Sequence, residues 1–285
     1  MQVISTAKEL RYINGKLNLS PVGLVPTMGA LHEGHISLVE KALSLSPLVI
    51  VSIFVNPAQF NDKNDLKNYP RTPEDDLLLL GKVLRENDIV FTPEVKEIYP
   101  ETDTRKFSFG NLDNVMEALH RPGHFNGVGQ VVSRLFDIVK PDIAIFGQKD
   151  FQQLAVIKEL VRQTGDKVKI IGSPIIREND GLAMSSRNML LEPEIRKNAP
   201  VIFKTLSAAA EMITGHDIPE IKTFVGKQIN NVPGFDIEYF DIADDTELIP
   251  VSSRNEMQKG KRYFGCIAVR AGKIRLIDNI EIGLV

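Results

Sequence analysis

Two histidines three residues apart are the first residues of this chain that could do chemistry. His32 and His35 stand in the segment Pro26-Thr-Met-Gly-Ala-Leu-His-Glu-Gly-His35, after a hydrophobic run and before an amphipathic one. In an open α/β sheet this strand-to-helix position binds ligands, because helix N-terminal amides attract anions. Gly29 and Gly34 permit a tight backbone, so both imidazoles can project toward one phosphate. A plain glycine-rich turn with two surface histidines is the alternative, and the strand-to-helix position favours a nucleotide site.

Two side-chain amides follow the next hydrophobic run, in Phe54-Val-Asn-Pro-Ala-Gln-Phe60. Asn56 and Gln59 lie at the predicted strand end, where neutral amides suit the hydroxyl or carboxylate oxygens of a small polar ligand. An Asx turn with Asn56 before Pro57 accounts for the same residues without any ligand. Both interpretations stay open from this segment alone.

Cations occur in two later segments. Phe146-Gly-Gln-Lys-Asp-Phe-Gln-Gln153 again joins a predicted strand to a predicted helix, so Gly147 gives access to the backbone and Lys149 offers a positive charge to phosphate. Met184-Ser-Ser-Arg-Asn188 adds two hydroxyls and the guanidinium of Arg187. Taken singly, these segments are compatible with a solvated lysine at a helix start and with a polar connector. Four such segments at ligand-binding positions favour a nucleotide site.

The elements that must position these side chains alternate from Val22 to about Ile176. Short Val- and Ile-rich runs separated by amphipathic segments are typical of βα units that build a parallel sheet. Thr72 as cap, Pro73, and acidic residues in the first turn mark one helix start. We predict strands at Val22–Pro26, Leu48–Val55, Ile89–Phe91, Ile143–Phe146 and Val168–Ile171, and helices at His35–Leu45, Pro73–Glu86, Val128–Val139 and Phe151–Gln163.

The pattern changes after Ile176. Two helical segments are followed by strand-like runs, with a hairpin turn around Ala271-Gly272. The fold class is therefore α/β, a Rossmann-like parallel-sheet domain over residues 1–176 followed by a smaller α+β domain over residues 177–285. The predicted C-terminal elements are helices near Glu194–Thr214 and Ile218–Asn230, and strands Asp236–Ile242, Phe264–Arg270 and Lys273–Ile277.

Composition limits the class of protein. The 285 residues are 43% hydrophobic and 25% charged, with a net charge of −3, so the chain is expected to be globular and to bind small molecules rather than nucleic acid or an anionic membrane. The start of the sequence lacks a secretory pattern and the apolar runs are too short to span a bilayer. The lone Cys266 fits a reducing compartment and is expected to be a small core residue, so we predict a cytoplasmic location.

The motifs resemble those of a known enzyme family. The His-x-Gly-His segment is similar to the signature of the nucleotidyltransferase superfamily, whose members attack the α-phosphate of a nucleotide and expel pyrophosphate. With Tyr69-Pro-Arg-Thr-Pro73 and Arg121-Pro-Gly-His-Phe125, the segments resemble the pantothenate synthetase family in order and spacing from near Val22 to about Asn188. The resemblance implies condensation of (R)-pantoate with β-alanine to pantothenate, a precursor of coenzyme A, through a pantoyl-adenylate with release of AMP and pyrophosphate.

The resemblance also implies roles for individual residues. His35 would be the catalytic proton donor, and His32, Lys149 and Arg187 would act on the phosphates. Pantoate would bind Gln59 and Gln153, with Gln59 also near β-alanine and Asn56 in the same pocket wall. The residues implied for ATP are Met28, Gly29, Ala30, Leu31, His32, Glu33, Gly34, His35, Gly147, Gln148, Lys149, Asp150, Ile176, Met184, Ser185, Ser186 and Arg187.

Magnesium and a second copy of the chain are also implied. ATP is used as its Mg²⁺ complex, and the acidic cluster after Pro73 offers Asp75 as a ligand, although that cluster also suits a plain helix N-terminus. A homodimer is implied by the resemblance alone. The sequence departs from the family at three positions, with Gln130 for a small hydroxyl residue, Gln148 for an acidic residue and Ile176 for valine beside the adenine.

Two other classes of function are compatible with the His-x-Gly-His segment. A nucleotidyltransferase that leaves the nucleotide on its product is disfavoured by the glutamine pair and by Arg121-Pro-Gly-His-Phe125. A nucleotide sensor without catalysis is disfavoured by the presence of His32, His35, Lys149 and Arg187 together.

Overall fold

A computed structural model describes residues 1–61 and 63–283 of the chain. The chain divides into two compact units. The first unit comprises Met1–Phe109, Arg121–Gln148 and Val156–Pro174, and the second comprises Gly110–His120, Lys149–Ala155 and Ile175–Val285. The sequence did not indicate the two short segments of the second unit, and the division after residue 176 stays a prediction.

Strands and helices alternate through most of the described chain. The strands are β1 (Gln2–Ile4), β2 (Val22–Thr27), β3 (Leu48–Ile53), β4 (Ile89–Phe91), β5 (Ile143–Gly147), β6 (Lys169–Ser173), β7 (Phe235–Asp244), β8 (Tyr263–Ala271) and β9 (Ile274–Ile282). The helices are α1 (Ala7–Leu17), α2 (Glu33–Leu43), α3 (Lys63–Asn68), α4 (Pro73–Gly81), α5 (Val95–Ile98), α6 (Glu117–His120), α7 (His124–Val139), α8 (Phe151–Thr164), α9 (Pro193–Asn198), α10 (Val201–Met212) and α11 (Ile218–Asn230).

A parallel sheet forms the centre of the first unit. Its described strands lie in the order β1-β4-β3-β2-β5-β6. The first four residues of β3 have no solvent exposure, as expected for a parallel strand covered on both faces. The order reverses between β2 and β5, which are neighbours in the sheet. In open α/β sheets ligands bind at the carboxyl ends of the strands at such a reversal, so the segments after Thr27 and Gly147 are the expected ligand-binding segments.

A second sheet belongs to the second unit, where β7, β8 and β9 pair in antiparallel fashion. The helices α10 and α11 pack against it and against each other, and Ile218, Ile221, Val225 and Ile229 of α11 are fully buried. Their spacing of three and four residues places them on one face of the helix. The predicted hairpin is confirmed, since β8 and β9 are joined through Gly272, whose φ of 59° lies in the left-handed region.

The predicted fold class is confirmed, with a Rossmann-like parallel sheet and a small antiparallel sheet. Two predicted helices are too long. The helix from Pro73 ends at Gly81 rather than Glu86, because the buried Asp88 carboxylate accepts the Arg85 amide at 2.8 Å and holds that segment in a turn. The segment 194–214 is interrupted at Pro200, which has no amide hydrogen to continue a helix.

The strand β1 and the helix α1 are not predicted from the sequence, because the polar first residues give no strong pattern. Cys266 is buried, and burial raises the pKa of its thiol, as expected for a core residue. In the described residues, every helix is too short or too polar to cross a lipid bilayer.

Candidate active site

One buried carboxylate, on a helix that is not part of the loop, holds the loop between β2 and α2 in place. Asp76 of α4, only 2% exposed, accepts the main-chain amides of Ala30 at 3.0 Å and Leu31 at 2.7 Å. Thr72 donates its hydroxyl to the same carboxylate at 3.1 Å. A side chain at Gly29, whose φ is 78°, would place its Cβ 2.9 Å from an Asp76 oxygen. The loop therefore needs both the glycine and the carboxylate to keep its shape.

His32 and His35 cap the helix that follows this loop. The Nδ1 atom of His32 accepts the Gly34 amide at 3.1 Å, and Nδ1 of His35 accepts the His32 amide at 3.3 Å. The ring centroids lie 4.1 Å apart. A nitrogen that accepts a hydrogen bond carries no proton, so this geometry assigns the proton of each neutral ring to Nε2. The two imidazoles thus lie side by side at a helix N-terminus, and their action on one phosphate stays a prediction.

The segment after β3 contains a buried amide that is fully used within the protein. Asn56, 1% exposed, donates to Gln59 Oε1 at 3.2 Å and to the Gly127 carbonyl at 3.1 Å. Its own oxygen accepts the Ala58 amide at 3.2 Å and the Tyr99 hydroxyl at 3.0 Å. These four bonds match the two donors and two acceptor positions of an asparagine side chain. Asn56 therefore orients Gln59, and its direct contact with a ligand stays a prediction.

Gln59 is fixed through both its side chain and its backbone. Its Nε2 lies 3.0 Å from the Met28 sulfur, in the loop after β2. The buried His124, at the start of α7, donates from Nδ1 to the Gln59 carbonyl at 2.8 Å. A Cβ at Gly127 would come within 2.3 Å of the Ala58 carbonyl, so this glycine lets α7 approach the turn closely. Of the predicted residues, Gln59 therefore contacts both Met28 and Asn56.

Burial changes the acidity of the Tyr99 hydroxyl, which supports this turn. Desolvation raises the pKa of Tyr99 to about 12. The hydroxyl thus stays protonated at neutral pH and donates to Asn56.

Gln130, one of the three departures from the family sequence, supports the backbone of a neighbouring segment. Its amide donates to the carbonyls of Asp103 at 3.1 Å and Arg105 at 2.8 Å.

The second unit contains Lys149, just before α8, and Gln153, in its first turn. Both are partly buried. Asn279 of β9 donates to the Lys149 carbonyl at 3.1 Å. Between the two candidate residues, the buried Gln152 accepts the Glu117 amide at 2.9 Å and donates to the Leu112 carbonyl at 2.8 Å. The start of α8 is therefore anchored by polar contacts on several sides.

The segment Met184–Arg187, which carries two hydroxyls and a guanidinium, follows a tight hairpin in the second unit. Met184 donates its amide to the Ile176 carbonyl at 3.0 Å, and Arg187 donates its amide to the Ser185 hydroxyl at 3.3 Å. The hairpin thus links Ile176, predicted for adenine, to the segment predicted for phosphate. Asn188 donates to Glu178 at 2.7 Å and ties the end of this segment to the hairpin.

The carboxylates of α4 differ in their surroundings. Asp75, predicted for Mg²⁺, is exposed, whereas its neighbour Asp76 is buried and bonded to the loop. Mg²⁺ bound to ATP commonly takes one or two carboxylates besides phosphate oxygens, so a single exposed Asp75 fits that chemistry. No group of three or more metal-ligating side chains occurs within residues 1–61 and 63–283.

Sequence reasoning missed several residues that hold the candidates in place. In the sequence, Asp76 stands out only as part of an acidic helix start, and His124 belongs to a motif but has no assigned role. Tyr99 and Asn279 had no signal, since each acts on a residue more than 40 positions away. Only a folded structure brings such partners together.

A parallel sheet whose strand order reverses beside a glycine-containing loop and a helix N-terminus is typical of nucleotide-binding α/β enzymes. The sequence model of the pantoate–β-alanine ligase family matches residues 2–281. The chain belongs to this family.

Individual relatives agree with that assignment. A pantothenate synthetase of Bacteroides thetaiotaomicron is 50% identical over 283 residues, covering 99% of each chain. A crystal structure of pantothenate synthetase from Thermus thermophilus matches with a TM-score of 0.90 and 42% identity over 100% of both chains. The pantoate–β-alanine ligase of Francisella tularensis, in a complex with β,γ ATP and β-alanine, matches with a TM-score of 0.78 and 34% identity, covering 98% of this chain and 97% of that one.

Proposed function

We propose that the chain joins (R)-pantoate to β-alanine at the expense of ATP, through a pantoyl-adenylate. A pantoate carboxylate oxygen attacks the α-phosphorus, and the bond from that phosphorus to the bridging oxygen breaks to release pyrophosphate. The β-alanine nitrogen then attacks the acyl carbon, loses a proton and expels AMP. The product is pantothenate.

The observation that carries this proposal is the pair His32 and His35 at the N-terminus of α2, where the His32 main-chain amide donates a hydrogen bond to the His35 ring. It lies where the sheet order reverses, in a chain that matches the family over residues 2–281. A phosphate oxygen placed there would receive Nε2–H donors, and donors directed at developing charge stabilise a transition state. His35 is the proposed proton donor, and His32 is proposed to support the triphosphate. The Francisella ligase with β,γ ATP and β-alanine supports the choice of those two substrates.

Cations are proposed to act on the phosphates. Lys149 and Arg187 would supply countercharge that is needed most as pyrophosphate leaves, which directs binding energy at the transition state. Ser185 and Ser186 would donate hydroxyls to phosphate oxygens. Mg²⁺ would enter as a complex with ATP, with Asp75 as the proposed protein ligand.

Neutral amides are proposed to bind pantoate. Gln59 and Gln153 carry no charge, so they can orient a carboxylate without neutralising the nucleophile that must attack phosphorus. The bonds from Asn56 and His124 to Gln59 hold that side chain and its backbone before substrate binds. Such preorganisation lowers the entropy lost on binding.

Product analysis tests the reaction class. Incubation with ATP, pantoate and β-alanine is expected to yield pantothenate, AMP and pyrophosphate in equal amounts. A product that retains the nucleotide would assign the chain to nucleotidyl transfer, and ADP with phosphate would exclude adenylation. Omission of β-alanine from the same mixture should abolish pantothenate formation. Pantoate-dependent exchange of pyrophosphate into ATP should persist without it.

The predicted dimer and the predicted cytoplasmic location remain predictions. Sedimentation equilibrium measures the first directly, since a homodimer has twice the mass of the 31.8 kDa chain.

A further inference from the structure

We propose that Asp278 and Asn279, adjacent residues of β9, are positioning residues for adenylation. Asn279 fixes the backbone that carries Lys149, and Asp278 fixes, through Arg177, the hairpin that leads into the segment Met184–Arg187. This inference rests on the phosphate roles proposed above for Lys149 and Arg187. It assigns a purpose to a C-terminal strand in which the sequence offered no motif.

The contact at Lys149 determines where its side chain begins. Asn279 is 3% exposed and donates from Nδ2 to the Lys149 carbonyl at 3.1 Å. Its own amide donates to Asp278 at 2.8 Å, so the β9 backbone here is itself held. Lys149 lies just before α8, whose first turn includes the bond from the Leu154 amide to the Asp150 carbonyl at 2.9 Å. The asparagine therefore restrains the peptide from which the lysine stem extends.

The contact at Arg177 has a bidentate geometry. Its guanidinium donates to the two Asp278 oxygens at 2.6 Å and 3.0 Å, and also to the Gly181 carbonyl at 3.1 Å. The guanidinium carbon lies 3.7 Å from the centre of the Phe203 ring. Planar bidentate pairing fixes orientation as well as distance. The hairpin between Arg177 and Ala183 is therefore anchored to β9 at its base, and the same guanidinium holds its glycine.

The charges around Asp278 agree with an anchoring role. Its side chain is 2% exposed, and burial raises its pKa while Arg177 and, more weakly, the Lys149 ammonium oppose that change. A buried carboxylate without a partner is strongly unfavourable, so the pair with Arg177 holds both groups in one arrangement.

Two neighbouring residues of one strand thus hold two segments with proposed phosphate-binding side chains. A misplacement of about 1 Å can lower a rate about 10²-fold, so anchors of this kind affect turnover without touching substrate.

Pantoate-dependent ATP–pyrophosphate exchange tests the role of Asn279. We expect Asn279→Ala to lower the exchange kcat about 10- to 100-fold, with the pantoate KM changed less than about twofold. Asn279→Leu, which keeps the branched shape of the side chain and lacks the donor, should do the same if the alanine variant folds poorly. Glu281→Gln is the matched control on the same strand, since it breaks only an exposed ion pair with Arg262, and it should leave exchange unchanged.

Double substitution separates positioning from general destabilisation. If Asn279 acts through Lys149, then Asn279→Ala should change exchange less than about twofold in a Lys149→Ala background. Equal losses in both backgrounds would overturn the inference, as would normal turnover in Asn279→Ala.

The same variants distinguish this inference from the proposed function. Loss of turnover in Lys149→Ala with normal turnover in Asn279→Ala would leave the function standing and overturn the positioning role alone. Normal turnover in Lys149→Ala would overturn the phosphate role itself, and the positioning role with it. For the other anchor, Asp278→Asn should lower the exchange kcat several-fold, because Arg187 is proposed to act in the transition state, and parent exchange kinetics in that variant would overturn the role of Asp278.

Discussion

Replacement of Asp76 by asparagine is expected to weaken both the fold and the use of ATP. The carboxylate accepts the Ala30 and Leu31 amides and the Thr72 hydroxyl. Asparagine keeps one oxygen, which can still serve Leu31 and Thr72, but it places an NH₂ group opposite the Ala30 amide. Two donors then face each other in a buried position, and one hydrogen bond to a charged group is lost.

The size of the effect follows from that single lost bond. A hydrogen bond to a charged group contributes about 1.5–3 kcal/mol. For a domain of this size 1 kcal/mol changes the melting temperature by about 2–4 °C, so a decrease of roughly 3–12 °C is expected. Because the released amides belong to the loop before His32, kcat/KM for ATP should fall about 10- to 100-fold.

Thermal unfolding and steady-state exchange kinetics measure the two effects. Glu74→Gln is the matched control, because it removes a negative charge from the same first turn of α4 at an exposed position. It should retain the parent melting temperature and ATP kinetics. If Asp76→Asn behaved like the parent, or if Glu74→Gln lost as much activity, the loop would not depend on the Asp76 carboxylate.

The remaining predictions concern the proposed chemistry and one ion pair. His35→Ala should lower adenylate formation by about 10²–10⁴, the usual effect of losing a positioned proton-transfer group, and near-parent turnover would remove His35 from the mechanism. Alanine at Gln59 or Gln153 should weaken pantoate binding by about 1–3 kcal/mol in calorimetry. Glutamate at either position should be worse, because it places a like charge beside the pantoate carboxylate, and loss of ATP affinity alone would contradict that assignment. Hydrogen bonds from Arg105 lower the pKa of Asp103 from 3.8 to about 2, so the stability this carboxylate contributes is present above pH 3.8 and lost as the pH falls toward 2. Urea unfolding from pH 5 downward should therefore show a narrowing difference between the parent and Asp103→Asn, and a constant difference would exclude the linkage.

The parts of the fold that sequence predicted well are those where local pattern and tertiary packing agree. The strand Ile89–Phe91 and the helix Ile218–Asn230 have the predicted bounds, because apolar periodicity and flanking polar residues coincide there. The long helix predicted from Glu194 failed at Pro200, where one missing amide outweighs the amphipathic pattern. Local chemistry thus decides where elements end more often than periodicity does.

The same difference between local pattern and long-range contact applies to the candidate site. Residues in short contiguous motifs, such as His32 and His35, could be proposed from sequence because their neighbours in the chain are also their neighbours in space. Asp76 could not be separated from Asp75 by sequence, since burial alone distinguishes them. Asn279 lies 130 positions from Lys149, and no pattern of residue types links them. Supporting residues are therefore the part of a site that sequence reasoning predicts least well.

Transfer of oxygen from pantoate to AMP tests the proposed adenylate most directly. With ¹⁸O in the pantoate carboxylate, attack of that carboxylate on the α-phosphorus leaves a labelled oxygen on phosphorus when the β-alanine nitrogen displaces AMP. Mass spectrometry of AMP formed in a complete reaction is expected to find one ¹⁸O atom for each fully labelled pantoate consumed. Unlabelled AMP beside normal pantothenate formation would contradict the adenylate and with it the central proposal.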